Sequence, residues 1–117
     1  MSEAESLDDP VAYYLEDMEM HGRSERTRVA YERVLRGFES FLADGGSMGS
    51  ATDPAAASHR DCMAWVHSLR GELSPSTIAT YATTVNRFYG YMNQVGAFDA
   101  NPMTLVMEEM DESIDTD

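Results

Sequence analysis

Five arginines, Arg23, Arg26, Arg28, Arg33 and Arg36, fall between positions 23 and 36 of a 117-residue chain that carries no lysine and a net charge of −13. A guanidinium is permanently charged and presents a planar fork of donors, so its chemistry is the binding of carboxylate or phosphate oxygens. Other chemistries find little support. Three histidines and one cysteine, scattered along the chain, give no metal-ligand spacing, and no cofactor is expected. His67 and Arg70 have no companion groups nearby and read as a solvated helix end.

The charge is unevenly placed. Residues 1–21 hold seven acids and no arginine, and residues 102–117 hold six acids and no arginine, while the eight acids of residues 22–101 balance its eight arginines. An acidic surface without lysine resembles that of salt-adapted (halophilic) proteins, and it leaves a neutral middle as the part that can meet a polyanion. Cys62, the single cysteine, permits no internal disulfide and fits a reducing, cytoplasmic setting. The N-terminus has no apolar run, and no stretch reaches the ~18 apolar residues that a membrane span needs.

Helices must position the arginines. Asp9 with Pro10 predicts a helix start, followed by an apolar stripe of Val11, Tyr14, Leu15 and Met18 and a stop at Gly22. Ser24 caps a second helix with Tyr31, Val34, Leu35, Phe38, Phe41 and Leu42 on one face, ending at Gly45–Gly46. A small-residue linker spans 46–57. Ser58-x-x-Asp61 predicts a capping box for a third helix, with Cys62, Trp65, Val66 and Leu69 inside and a stop near Gly71. Ser74 with Pro75 opens a fourth helix, carrying Ile78, Tyr81, Val85, Phe88 and Met92 and closed by Gly96. Asn101-Pro102 then leads to a short amphipathic piece with Met103, Leu105, Val106 and Met110. No strand pattern competes, so the expected fold is all-α: four main helices in two hairpins, plus a short C-terminal helix.

Ser24-x2-Thr27-x3-Tyr31-x3-Leu35-x2-Phe38 recurs fifty residues later as Ser74-x2-Thr77-x3-Tyr81-x3-Val85-x2-Phe88, with Gly46 and Gly96 as closing glycines. Both copies thus offer a capped helix N-terminus, whose free N–H groups and dipole suit phosphate. On the second helix, Arg28–Glu32 and Glu32–Arg36 are i,i+4 pairs, the ordinary surface arrangement. Arg26 and Arg33 lie on the other flank with no acid three or four residues away, and Arg23 lies near that side. From Leu73 to Phe98 there is no acid at all, and the fourth helix carries Ser76, Thr80, Thr83, Arg87 and Gln94 along its polar stripe. Two equivalent helices therefore keep one face free of negative charge, as a surface meeting phosphates must.

Taken together, Gly22, Ser24, Thr27, Tyr31, Leu35 and Phe38, then Leu73, Ser74, Ser76, Thr77, Tyr81, Val85 and Phe88, then Gly96, Asn101 and Pro102, resemble the N-terminal core-binding domain of tyrosine recombinases, the phage integrase family. The resemblance covers roughly residues 8–106. It implies a SAM-like helical bundle forming one half of a clamp around duplex DNA near the strand-exchange site, in the service of DNA integration or recombination. It further implies DNA contacts from Arg23, Ser24, Arg26, Thr27, Arg33, Ser76, Thr77, Thr80, Thr83 and Arg87. Residues 1–7 are then an acidic tail, and residues 107–117 an acidic linker toward a catalytic domain outside this chain, which by itself carries no catalytic residue. Double-stranded DNA is the expected partner, with other protomers of the same recombinase on that DNA. Two alternatives stay open at this point: a free-standing DNA-binding module without recombinase activity, and a protein-interaction bundle whose acid-free face meets an acidic partner.

Overall fold

The computed structural model describes residues 9–45 and 52–115, with side chains as far as Met110. Five helices occupy these residues: α1 (Pro10–Met20), α2 (Glu25–Ala43), α3 (His59–Leu69), α4 (Pro75–Gln94) and α5 (Met103–Asp115). No strand forms among them, and the architecture is the all-α bundle that the apolar periodicity predicts. None of these helices is long and apolar enough to cross a membrane.

Local chemistry sets the helix starts. The Asp9 carboxylate accepts from the Ala12 amide at 3.2 Å, with Pro10 in the first turn, where its missing N–H costs nothing. Ser58 and Asp61 form the reciprocal capping box: the Ser58 Oγ accepts from the Asp61 amide, and the Asp61 carboxylate accepts from the Ser58 amide. Ser24 and Ser74 cap α2 and α4 in nearly the same way. Each Oγ accepts from the amide of the threonine three residues on (3.2 and 3.3 Å) and donates to that threonine's hydroxyl (2.9 and 3.0 Å). The internal repeat is thus a repeat of capped helix starts. At the other end the match is offset, because Gly45 takes the positive φ after α2 and Gly96 takes it after α4. Gly46 lies outside the described residues.

The apolar stripes meet in one core. Val11, Leu35, Phe38, Leu42, Cys62, Val85, Phe88, Met92, Met103 and Val106 are all fully buried. Phe38 sits edge-on to Trp65, with ring centroids 5.1 Å apart, and to Tyr89 at 5.9 Å, so α2, α3 and α4 share one aromatic cluster. Phe98 adds to it from the turn after α4. On α5 the apolar stripe is Met103, Val106, Met107 and Met110. Leu105 falls off that face at 100° per residue and is exposed, unlike the grouping expected from sequence.

Residues 52–57, expected as plain linker, are tied down. The Thr52 amide donates to the Leu42 carbonyl at 3.0 Å, and the Pro54 carbonyl accepts from the buried Tyr89 hydroxyl at 2.7 Å. Burial, with smaller contributions from Cys62, Asp53 and Asp61, raises the Tyr89 hydroxyl's pKa, so it stays a donor there. The helical conformation of α5 also reaches beyond Val106 into the acidic stretch, to Asp115.

Candidate functional site

The arginines of α2 divide into two groups. Arg36 is a structural clamp: it meets both oxygens of Asp9 (2.9 and 3.1 Å), Glu39 at 2.8 Å and Glu32 at 3.8 Å. The bidentate bond fastens the start of α1 to the middle of α2. It holds the Asp9 carboxyl below its usual range and raises the already high pKa of Arg36. Arg28 pairs with Glu19 of α1 at 3.2 Å, not with the i+4 partner Glu32 expected from sequence. Local spacing names only candidates on the same helix, and the packing of α1 brings a better-placed carboxylate. Both arginines are thus spent on holding α1 to α2.

Arg26 and Arg33 form the second group. Both are exposed, and among the described residues neither has a carboxylate within ion-pair distance. Ala30 and Gly37 flank them on the outward side of α2, also exposed. Free guanidinium groups on an open helix face are available to an external anion.

A pair of clefts lies where α4 meets α2. The larger, about 580 Å3, is lined by Tyr14, Asp17, Met18 and His21 of α1 and its C-cap, by Gly22 and Arg23 of the following turn, and by Tyr31 and Arg87. The smaller, about 310 Å3, is lined by Tyr31, Ala79, Thr80, Thr83, Thr84 and Arg87, with no acid. Tyr31 and Arg87 belong to both clefts and touch each other: the Arg87 guanidinium donates to the Tyr31 hydroxyl at 3.2 Å. Tyr31 in turn stacks on Tyr14, with ring centroids 6.4 Å apart. The Tyr31 oxygen is engaged as an acceptor, which leaves its O–H to donate outward beside the guanidinium.

Arg23 is set by its turn. Its amide donates to the Met18 carbonyl at 3.0 Å, and Gly22 before it has φ +79°, a conformation that side chains strain to adopt. Asp17 shares the larger cleft, where the His21 ring lies 3.4 Å from its carboxylate. The Tyr91 hydroxyl is pushed up by burial and by its hydrogen bond to Asp17. That carboxylate accepts from Tyr91 at the cleft wall and keeps further lone pairs for another donor.

Of the residues singled out from sequence, the clefts bring together Arg23, Thr80, Thr83 and Arg87. Arg26 and Arg33 stand on open surface outside them, and Ser24, Thr27, Ser76 and Thr77 belong to the helix starts. The hydroxyls are not equally free. Thr80 donates to the Ser76 carbonyl at 3.1 Å, and Ser74 is shared with Ser76 (3.3 Å) and Thr77. Thr83 has no hydrogen-bond partner among the described residues. The apolar spacing assigns Tyr31 to the core without its hydroxyl and gives His21 only as a helix end, which it is, and nothing in the sequence singles out Asp17. A tyrosine in place of a phenylalanine at the edge of an apolar stripe was the available signal. His67 is exposed in the last turn of α3 and Arg70 follows as its C-cap, away from both clefts.

Residues 11–96, from the first turn of α1 to the glycine that closes α4, match the family model described as phage integrase, N-terminal SAM-like domain. No curated protein and no solved structure gives a match.

Proposed function

The chain belongs to the phage integrase N-terminal SAM-like domain family, and from that premise we propose that it binds duplex DNA, as the core-binding half of a tyrosine recombinase clamp near the site of strand exchange. The observation that carries this reading is the Tyr31–Arg87 contact, which stands between a cleft holding Arg23 and an acid-free cleft holding Thr80 and Thr83. Two guanidinium groups and two threonine hydroxyls, all of phosphate-binding type, thus lie around Tyr31 on a chain with 21 acids, and Arg26 and Arg33, unpaired among the described residues, extend the cationic surface along α2. Arg28 and Arg36, spent on Glu19 and Asp9, take no part.

The partners in this reading are double-stranded DNA and further protomers bound to it. The setting is intracellular, and the acidic remainder of the surface is an adaptation to high salt. Phosphate contacts release counterions, so affinity falls as salt rises, by about 0.9 log units per log unit of salt for each phosphate neutralised. Fluorescence anisotropy of a labelled duplex, titrated with the chain at several salt concentrations, tests this. A saturable signal whose affinity falls linearly on log–log axes is expected. No binding at low salt, or binding indifferent to salt, contradicts the proposal.

A further inference from the structure

The larger cleft is not purely cationic, and that distinguishes it from a simple phosphate contact. Its volume of about 580 Å3 lies within the range of small-molecule sites, roughly 300–1,000 Å3. Tyr14, 8 % exposed, and Tyr31 stacked on it give the cleft an aromatic wall. Arg23 and Arg87 enter from two separate elements, and neither has a carboxylate partner among the described residues. Asp17 contributes a carboxylate to the same cleft, with the exposed His21 beside it.

A bare phosphate gains from the two arginines and loses from Asp17. A ligand with a phosphate at one end and a planar ring with N–H donors at the other uses every group present. The guanidinium groups take the phosphate oxygens, the Tyr31 ring offers a stacking face, and the Asp17 carboxylate accepts from an exocyclic amino group. We propose that this cleft binds a single unpaired nucleotide through Arg23, Arg87, Tyr31 and Asp17. The inference rests on the duplex-binding reading through Arg23, Arg87 and Tyr31, which serve both. The nucleotide has two possible sources with the same chemistry: a free nucleoside monophosphate, or an unpaired terminal nucleotide of a DNA strand.

Calorimetric titration of the full chain with dAMP, and separately with inorganic phosphate, tests the site. The expected result is dAMP binding at least about ten-fold tighter than phosphate, weakened by about ten-fold in Arg23→Gln and in Arg87→Gln and unchanged in Arg70→Gln, which lies away from the cleft. Equal affinity for dAMP and phosphate overturns the proposal, as does dAMP binding that ignores both cleft variants. Circular dichroism confirms that the variants remain folded. A blunt duplex compared with the same duplex bearing one unpaired adenine separates the sources. Tighter binding of the overhang that disappears in Arg23→Gln assigns the nucleotide to DNA, whereas dAMP binding without any overhang effect assigns it to the free pool. Absence of dAMP binding beside intact duplex binding overturns the cleft alone, and the converse overturns the duplex reading alone.

Discussion

Arg87 on α4 donates to the Tyr31 hydroxyl on α2 at 3.2 Å, and this bond stands at the ridge where the two clefts meet. An exposed arginine otherwise samples many rotamers, and ordering it on an anion carries an entropic cost. The Tyr31 oxygen holds the guanidinium in place before any ligand arrives. Tyr31→Phe keeps the ring and removes the anchor. Duplex affinity is expected to fall by about five-fold, the equivalent of one modest hydrogen bond of about 1 kcal/mol, with Tm nearly unchanged. Anisotropy titration beside a thermal melt checks both, and unchanged affinity removes Tyr31 from the interface.

The clamp between Asp9 and Arg36 makes a pH prediction. The Arg36 bond lowers the folded pKa of Asp9 below its ordinary value of 3.8. Its stabilising contribution is therefore complete above that ordinary value and is lost as pH falls through the lower, folded one. Both side chains are more than a third exposed, so solvent screening limits the contribution to about 1 kcal/mol. Asp9→Asn keeps an N-capping oxygen and loses the charge. Its Tm should lie below that of the parent at neutral pH, with the gap closing in acid. Melting curves that run parallel down to pH ~2 contradict this assignment.

Cys62 is fully buried against the aromatic core, and burial pushes its thiol up to about 12. The thiolate is the reactive form, so the folded chain should resist thiol reagents at pH ~8. Labelling is expected only through unfolding, with a rate that follows denaturant as the Trp65 fluorescence transition does. Fast labelling of the native chain would show that the α3 packing opens locally.

Ser24 and Ser74 make the same two bonds at the starts of α2 and α4. Each serine replaced by alanine should cost about 1 kcal/mol, read as a drop of a few degrees in Tm. Near-equal losses are expected from the equivalent geometry. A loss at one position only would mean that the two helix starts differ in what else supports them.

These contrasts show which parts of the molecule were legible in the amino-acid sequence. Ser24, Ser58 and Ser74 announced helix starts because one side chain and one amide three residues on decide the matter locally. The stripes through Phe38 and Phe88 announced the core because a fixed helical period converts spacing into a face. Ion-pair partners were less legible. Arg28 chose Glu19 over Glu32 because α1 lies alongside α2, and no local spacing encodes that approach. The clefts were legible only in part for the same reason. Arg23, Thr80, Thr83 and Arg87 stood out by charge and by the lack of acids around them. Tyr31, Asp17 and His21 joined them only through the packing of three helices.

The most direct test of the account compares duplex affinity at fixed salt for the parent chain, Arg26→Glu, Arg33→Glu and Arg28→Glu. Arg26 and Arg33 are exposed and unpaired among the described residues, whereas Arg28 is held by Glu19 at 3.2 Å. The account predicts that duplex binding is abolished in the first two variants and only slightly weakened in the third. Equal effects from all three, or no effect from any, would contradict it.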